Sequence, residues 1–240
     1  MQNIWSKDYT LRANDFDKYD RMLPSSVLSL FQDAAGQHGE EIGVGFHEML
    51  EKNYLWVVVR LKYGILKAPK RYSKVTIKTW PFEPKRFNYR REYLITDENG
   101  EKLIIGSSEW VIIDSNKRSL VSVPDLYKID GDYYEEMLLD KKMGKVPDFE
   151  AVGTPYTVTP GFTELDLNNH VNNTKYANYV LDAISPTESD TIKTFQIDYR
   201  KEVLEGEPLE IFSTRQDGSI LAKGLNKDGD VMFACKLDME

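Results

Sequence analysis

The order of elements in this chain is written twice, and that repeat restricts the possible folds more than any other feature. Residues 21–35 open with Arg21 and carry Pro24 ahead of an apolar stripe of Val27, Leu28, Leu30 and Phe31, which predicts a helix. Strand-like runs follow at 55–63, 74–80, 89–97 and 103–114. The last two are joined by Glu98-Asn99-Gly100-Glu101, a strong hairpin signal. A second helix is expected at about 171–184, then strands at 194–199, 208–215, 220–226 and 231–237, with Lys227-Asp228-Gly229-Asp230 as the matching turn. Leu61-Lys62-Tyr63 echoes Ile197-Asp198-Tyr199, and Val75-Thr76-Ile77 echoes Leu209-Glu210-Ile211. Each copy is one helix followed by antiparallel strands. A sheet wrapped around a central helix buries the stripe of the helix and its own inner face together, so an α+β fold in two copies is expected.

The repeat divides the chain into a first copy over 1–130, a connector over 131–155 and a second copy over 156–240. Between the copies the sequence turns polar and is broken by Gly131, Gly144, Pro147 and Gly153. Within that stretch 133–139 is expected to form a short helix. With 41% apolar residues among 240, each copy has enough material for a core. No apolar run approaches the roughly 18 residues that span a bilayer. The first residues lack the basic-then-apolar layout of a secretion signal. A lone cysteine, Cys235, rules out an internal disulfide and fits a reducing cytoplasm, the expected location.

A net charge of −8 argues against nucleic-acid binding. The charge is uneven, however. Residues 67–91 hold nine basic side chains (Lys67, Lys70, Arg71, Lys74, Lys78, Lys85, Arg86, Arg90 and Arg91) against one acid, Glu83. A strip of that kind can steer an anionic partner.

Chemistry concentrates at 164–176, Glu-Leu-Asp-Leu-Asn-Asn-His-Val-Asn-Asn-Thr-Lys-Tyr. Asp166, Asn168 and His170 alternate, so an extended approach would put them on one face, with His170 where the helix begins. That is the setting for acid–base work or for holding an oxyanion, and also for an ordinary polar helix cap. Sliding Asp33-Ala34 onto Asp182-Ala183 sets Asp17 opposite Asp166, Tyr19 opposite Asn168 and Arg21 opposite His170. The first copy keeps the carboxylate and lacks Asn-x-His, which points to one site per chain. Glu202, at the end of Asp198-Tyr199-Arg200-Lys201-Glu202, is the carboxylate expected to turn toward the helix. A Gly-x-Ser-x-Gly elbow, a Walker loop and a dinucleotide fingerprint are all missing from the sequence. Three scattered histidines and one cysteine make no zinc site, so neither metal nor cofactor is expected.

The thirteen-residue motif resembles the hallmark of the acyl-acyl-carrier-protein (acyl-ACP) thioesterases of plants and bacteria. Leu55–Leu61, Arg90-Arg91-Glu92-Tyr93, Ser108-Glu109-Trp110-Val111 and Ile197–Glu202 extend the likeness over nearly the whole chain. The resemblance implies a double hotdog fold in one chain and hydrolysis of the thioester between a fatty acyl group and acyl carrier protein. It implies catalytic roles for Asp166, Asn168, His170 and Glu202. The position after Glu202, often cysteine in plant members, is Val203 here, so a cysteine mechanism at that place is not expected. An apolar tunnel for the acyl chain is expected in the first copy, whose own site is degenerate. The acidic carrier protein would meet the basic strip through residues such as Lys67, Lys70, Arg71, Lys74, Arg86, Arg90 and Arg91. Acyl-coenzyme A hydrolysis, a hotdog hydratase or dehydratase, and an acyl-binding module without catalysis remain open. So do a monomer and a homodimer, and water attack against a nucleophilic Asp166.

Overall fold

The computed structural model describes residues 3–123, 126, 132–139 and 143–240. Its strands are β1 (Trp5–Thr10), β2 (Tyr54–Ile65), β3 (Lys74–Pro81), β4 (Tyr89–Asp97), β5 (Lys102–Asp114), β6 (Leu120–Val121), β7 (Tyr156–Val158), β8 (Ile192–Tyr199), β9 (Leu209–Gln216), β10 (Ser219–Leu225) and β11 (Val231–Met239). Its helices are α1 (Pro24–Glu41), α2 (Phe46–Glu51) and α3 (Lys175–Ile184). Pro24 stands in the first turn of α1, where an N–H has no helical partner to lose. Val27, Leu28, Phe31 and Ala34 form the buried stripe of that helix, and Tyr176, Ala177, Tyr179 and Val180 form that of α3.

The strands make one antiparallel sheet in the order β1-β3-β4-β5-β2-β8-β11-β10-β9-β7, with β6 added to β5. Counted outward from the middle, β2, β5, β4, β3 and β1 answer to β8, β11, β10, β9 and β7. This is a double hotdog, each half-sheet wrapped on its own helix. The halves join where β2 pairs with β8, and there Leu61 faces Ile197. These are residues that the repeat equates, as an antiparallel pair requires where a pseudo-twofold axis crosses it. Beside them Tyr63 stacks on Phe195 with centroids 5.4 Å apart, and one apolar core runs through both halves.

The edge strands β1 and β7 were not expected from the sequence. In β1 only Trp5 is buried, and β7 has no buried residue, so neither has the apolar alternation that marks a half-buried strand. The expected helix at 133–139 is not formed: this segment has no regular structure and lies against the outer face of the sheet. Trp80 Nε1 donates to the Glu136 carbonyl at 2.9 Å, and the Leu138 N–H donates to Glu92 at 2.9 Å. Glu92 is wholly buried, with Arg90 Nε at 2.8 Å and the Ser107 hydroxyl at 2.6 Å. Asp198 repeats the device in the second half. It pairs with Arg60 at 2.6 Å and accepts the Val146 N–H at 2.9 Å. Side-chain anchors of that kind offer the strap backbone hydrogen bonds that a helix would otherwise supply.

Gly106 shows how closely α1 lies on the sheet. A Cβ there would come within 2.2 Å of the Phe31 ring, which is itself stacked on Tyr93 at 4.3 Å. Gly106→Ala is therefore expected to destabilise the protein by roughly 1–3 kcal/mol through overpacking. The check is urea unfolding: a lower midpoint at an unchanged slope is expected, and an unaltered midpoint would mean that the ring has room to move.

Candidate active site

The chain makes the same turn ahead of α1 and α3. In the second copy the Asp166 N–H donates to the His170 carbonyl at 2.8 Å and the Asn169 N–H to the Asp166 carbonyl at 3.0 Å. Asp166 Oδ1 accepts the N–H groups of Asn168 at 2.8 Å and His170 at 3.4 Å. In the first copy the Asp17 N–H reaches the Arg21 carbonyl at 2.8 Å, and Asp17 Oδ1 accepts from Tyr19 at 2.8 Å and Arg21 at 3.0 Å. Asn169 and Asp20 both take the left-handed conformation, with φ of 59° and 61°. Asp166 and Asp17 are thus turn acceptors, an ordinary use of aspartate.

Two expectations are corrected by this geometry. Asp166, Asn168 and His170 stand around a tight turn and do not share the face of an extended segment. His170 also does not open the helix, because α3 begins at Lys175. Asn172 already serves the nearest N–H groups, accepting Thr174 at its Oδ1 (3.0 Å) and Lys175 at its carbonyl (2.9 Å).

The copies differ in what the turn carries. Arg21 fills the first one: its guanidinium donates to Asp17 at 2.8 Å and crosses to the Thr187 and Asp190 carbonyls of the second half. Burial raises the Asp17 pKa, but the hydrogen bonds from Arg21 and Tyr19 outweigh it and hold the carboxyl below its usual range. His170 leaves the second turn open. Its Nε2 lies 3.2 Å from Glu202 Oε2, and Glu202 is also ion-paired with Arg118. Glu202 is delivered by the segment after β8, which is tied to the turn by the Val171 N–H on the Val203 carbonyl (2.9 Å) and by a bridge between His170 and Leu204. The Val203 side chain is fully buried.

Two cavities meet at this turn. One of about 230 Å³ lies in the first half, between α1 (Ala35, Gly36, Gly39), α2 (Phe46, Met49) and the sheet (Tyr54, Tyr89, Trp110). The other, of about 440 Å³, is lined by His170, Glu202, Arg118, Tyr176, Tyr199, Arg200 and Lys201. Trp56, Asp166, Asn168 and Asn173 line both. Burial raises the pKa of the Tyr176 and Tyr199 hydroxyls, so both are neutral. Arg91 also lines the first cavity; its Nη1 lies 2.9 Å from His38 Nδ1. Burial, reinforced by that guanidinium, pushes His38 down to about 4, which leaves its ring neutral and able to accept the hydrogen bond. Asn173 and Arg118 were not singled out from the sequence. Asn173 sits inside the motif, whereas Arg118 comes from an unremarkable turn of the other half and carries no local signal.

The basic strip does not form one surface. Arg91 is buried beside His38, and Arg90 is directed at buried Glu92 on the opposite face of the sheet. Lys67 is ion-paired with Glu101 and Arg71 with Asp20 at 2.7 Å. Lys67, Lys70, Arg71 and Lys74 follow the far end of β2, roughly 30 Å along the strand from the residues lining the site. Arg86, on the β3–β4 turn, is at the near end.

Comparisons with known proteins agree in kind. The family model for the acyl-ACP thioesterase N-terminal domain matches residues 2–129, and that for the C-terminal domain matches 150–234. A chloroplastic palmitoyl-acyl carrier protein thioesterase of Arabidopsis thaliana is 28% identical over 214 residues, 83% of this chain and 52% of that protein. A chloroplastic dodecanoyl-[acyl-carrier-protein] hydrolase of Umbellularia californica is 28% identical over 231 residues, 90% of this chain and 60% of that one. The chain therefore spans little more than half the length of these curated relatives. Among solved structures, an acyl-ACP thioesterase from Bacteroides thetaiotaomicron has a TM-score of 0.88 at 23% identity, covering 99% of this chain and 98% of that one. The 12:0-ACP thioesterase of Umbellularia californica has a TM-score of 0.87 at 21% identity, with 99% and 97% covered. At these identities the structural likeness establishes the fold.

The turn and the buried histidine each lead to a measurement. Asp166→Asn keeps an acceptor oxygen and should melt like the parent protein. Asp166→Ala should lose about 1–2 kcal/mol, as should Asp17→Ala. A thermal melt of all three checks this, and an alanine variant as stable as the parent would contradict it. For His38 the folded pKa lies below the unfolded value of about 6.5, so the unfolded chain binds the extra proton. Stability from this group is complete above that value and is lost as pH falls through 6.5 toward 4. Unfolding free energies measured across that window should fall less steeply for His38→Asn than for the parent.

Proposed function

This chain belongs to the acyl-ACP thioesterase family, and on that premise we propose that it hydrolyses fatty acyl thioesters of acyl carrier protein to free fatty acid. The observation that carries the proposal is the wall shared by the two cavities. Trp56, Asp166, Asn168 and Asn173 separate a first-half cavity walled largely by apolar and aromatic groups from a pocket that holds His170 and Glu202. The acyl chain enters the first, the arm of the carrier lies in the second, and the thioester spans the junction.

In this reading the proton path runs through His170, whose Nε2 lies 3.2 Å from Glu202 Oε2. If Nε2 donates to the carboxylate, Nδ1 of the neutral ring is the acceptor. A water at Nδ1 gives up its proton to the ring as its oxygen adds to the thioester carbonyl. The intermediate carries its negative charge on the former carbonyl oxygen, and the amide donors of Asn168 and Asn173, which line both cavities, stabilise it. Its collapse breaks the C–S bond, and the imidazolium returns the proton to the thiolate. Carboxylic acid and thiol leave. Glu202 orients the ring and stabilises its charged form. Asp166 serves the turn in this scheme, since its Oδ1 is occupied by two N–H groups and the homologous Asp17 does the same.

The acidic carrier approaches the mouth of the outer pocket, where Arg200 and Lys201 stand and Arg86 lies at the same end of the sheet. Electrostatic attraction there acts mainly on the rate of encounter. A cytoplasmic setting, with a buried reduced Cys235, completes the proposal.

Thiol release from acyl-ACP is the test. His170→Ala and Glu202→Ala should each lower kcat about a hundredfold or more, within the range of a general base and its partner, while the proteins melt normally. Full activity in both would refute the site assignment. Faster hydrolysis of the same acyl group on coenzyme A would favour the other carrier, and hydration of an enoyl thioester without thiol release would favour a hydratase.

A further inference from the structure

Glu202 is held from two directions. His170 approaches its Oε2 from within the second half, and Arg118 Nη2 reaches the same oxygen from the first half. Arg118 stands on a turn that is fastened at several points. The Asp114 N–H donates to the Ser119 carbonyl and the Arg118 N–H to the Asp114 carbonyl, both at 2.9 Å. The Asp114 carboxylate accepts the Asn116 N–H at 2.9 Å and the Lys117 N–H at 2.7 Å. Ser115 and Asn116 are tied in turn to Asn53, just ahead of β2, at 2.8 and 3.2 Å. At its crest Arg118 has a φ of 53°, a left-handed conformation that favours glycine over any residue with a Cβ. An arginine carried on a rigid turn at such a position, and aimed across the junction of the halves, calls for an explanation beyond stability. The pair offers little stability of its own, because both side chains are about two-fifths exposed (42% and 40%).

We propose that Arg118 is a positioning residue for the hydrolytic site: it holds the Glu202 carboxylate against His170 Nε2, and through it the imidazole in the tautomer that offers Nδ1 to water. The active site would then draw on both halves, with the proton acceptor from the second and the clamp on its carboxylate from the first. The inference rests on the thioesterase reading above.

Arg118→Gly removes the guanidinium and suits the left-handed backbone, so the fold should survive, which a thermal melt verifies. Thiol release from acyl-ACP should then show kcat reduced about tenfold with KM within about twofold of the parent. Arg118→Lys should recover part of the loss, and millimolar guanidinium added to the glycine variant should restore activity, which repair of a merely structural defect would not do. Long-range ¹H–¹⁵N spectra of the His170 ring should report a shifted tautomer balance in Arg118→Gly. A parent-like kcat in Arg118→Gly, or a loss confined to KM, overturns the role of Arg118. A parent protein that releases no thiol overturns the thioesterase reading instead, and the ring spectra then decide separately whether Arg118 positions His170.

Discussion

The structure depends on the pairing of β2 with β8. Each half, taken alone, is a sheet curled on a helix with one long open edge, and an open edge carries a row of unmet hydrogen bonds. The two edges meet each other, with Leu61 opposite Ile197 at the pseudo-twofold axis. Packing follows from that pairing: Tyr63 stacks on Phe195, and the stripes of α1 and α3 enter one continuous core. Function follows from it too, since only this arrangement brings the first-half cavity against the second-half turn.

Duplication allowed the copies to part in role without parting in backbone. The turns at Asp17 and Asp166 share their hydrogen bonds and even the left-handed residue that closes them. What changed is the side chain four residues on. Arginine at 21 satisfies itself on Asp17 and on carbonyls across the junction, so nothing is left to act on a ligand. Histidine at 170 is too short to do that and faces Glu202 across the edge of a pocket. The first half has α2 as an additional element, and Phe46 and Met49 of α2 wall its cavity.

Much of this was legible in the residues. Apolar spacing marks α1, α3 and the eight long strands, because each buries one face, and Asn-Gly and Asp-Gly mark the turns. Edge strands β1 and β7 escaped because exposed edges carry no alternation. The segment 133–139 looked helical by composition, but it has no regular structure and is anchored at Glu92 and Trp80. In the site, Asp166, Asn168 and His170 stood out as a cluster, and Glu202 as a carboxylate at a strand end. The face they were expected to share was wrong, since a β-turn and not an extended strand carries them. The basic strip dissolved for a related reason: neighbours along a strand point to opposite faces, so Arg90 and Arg91 cannot serve one surface.

By itself the sequence determined the twofold repeat, the helix-and-sheet unit and the family, because periodicity and short motifs are local properties of the chain. It also showed that histidine occupies this turn in the second copy alone, with Arg21 at the matching place in the first. Only the tertiary structure decided which partners that histidine has. The contact with Glu202 depends on how the chain leaves β8, and Arg118 arrives from a turn fifty-two positions before His170 in the numbering. Neither distance is encoded by spacing; both are set when two sheet edges pair and bring the halves together.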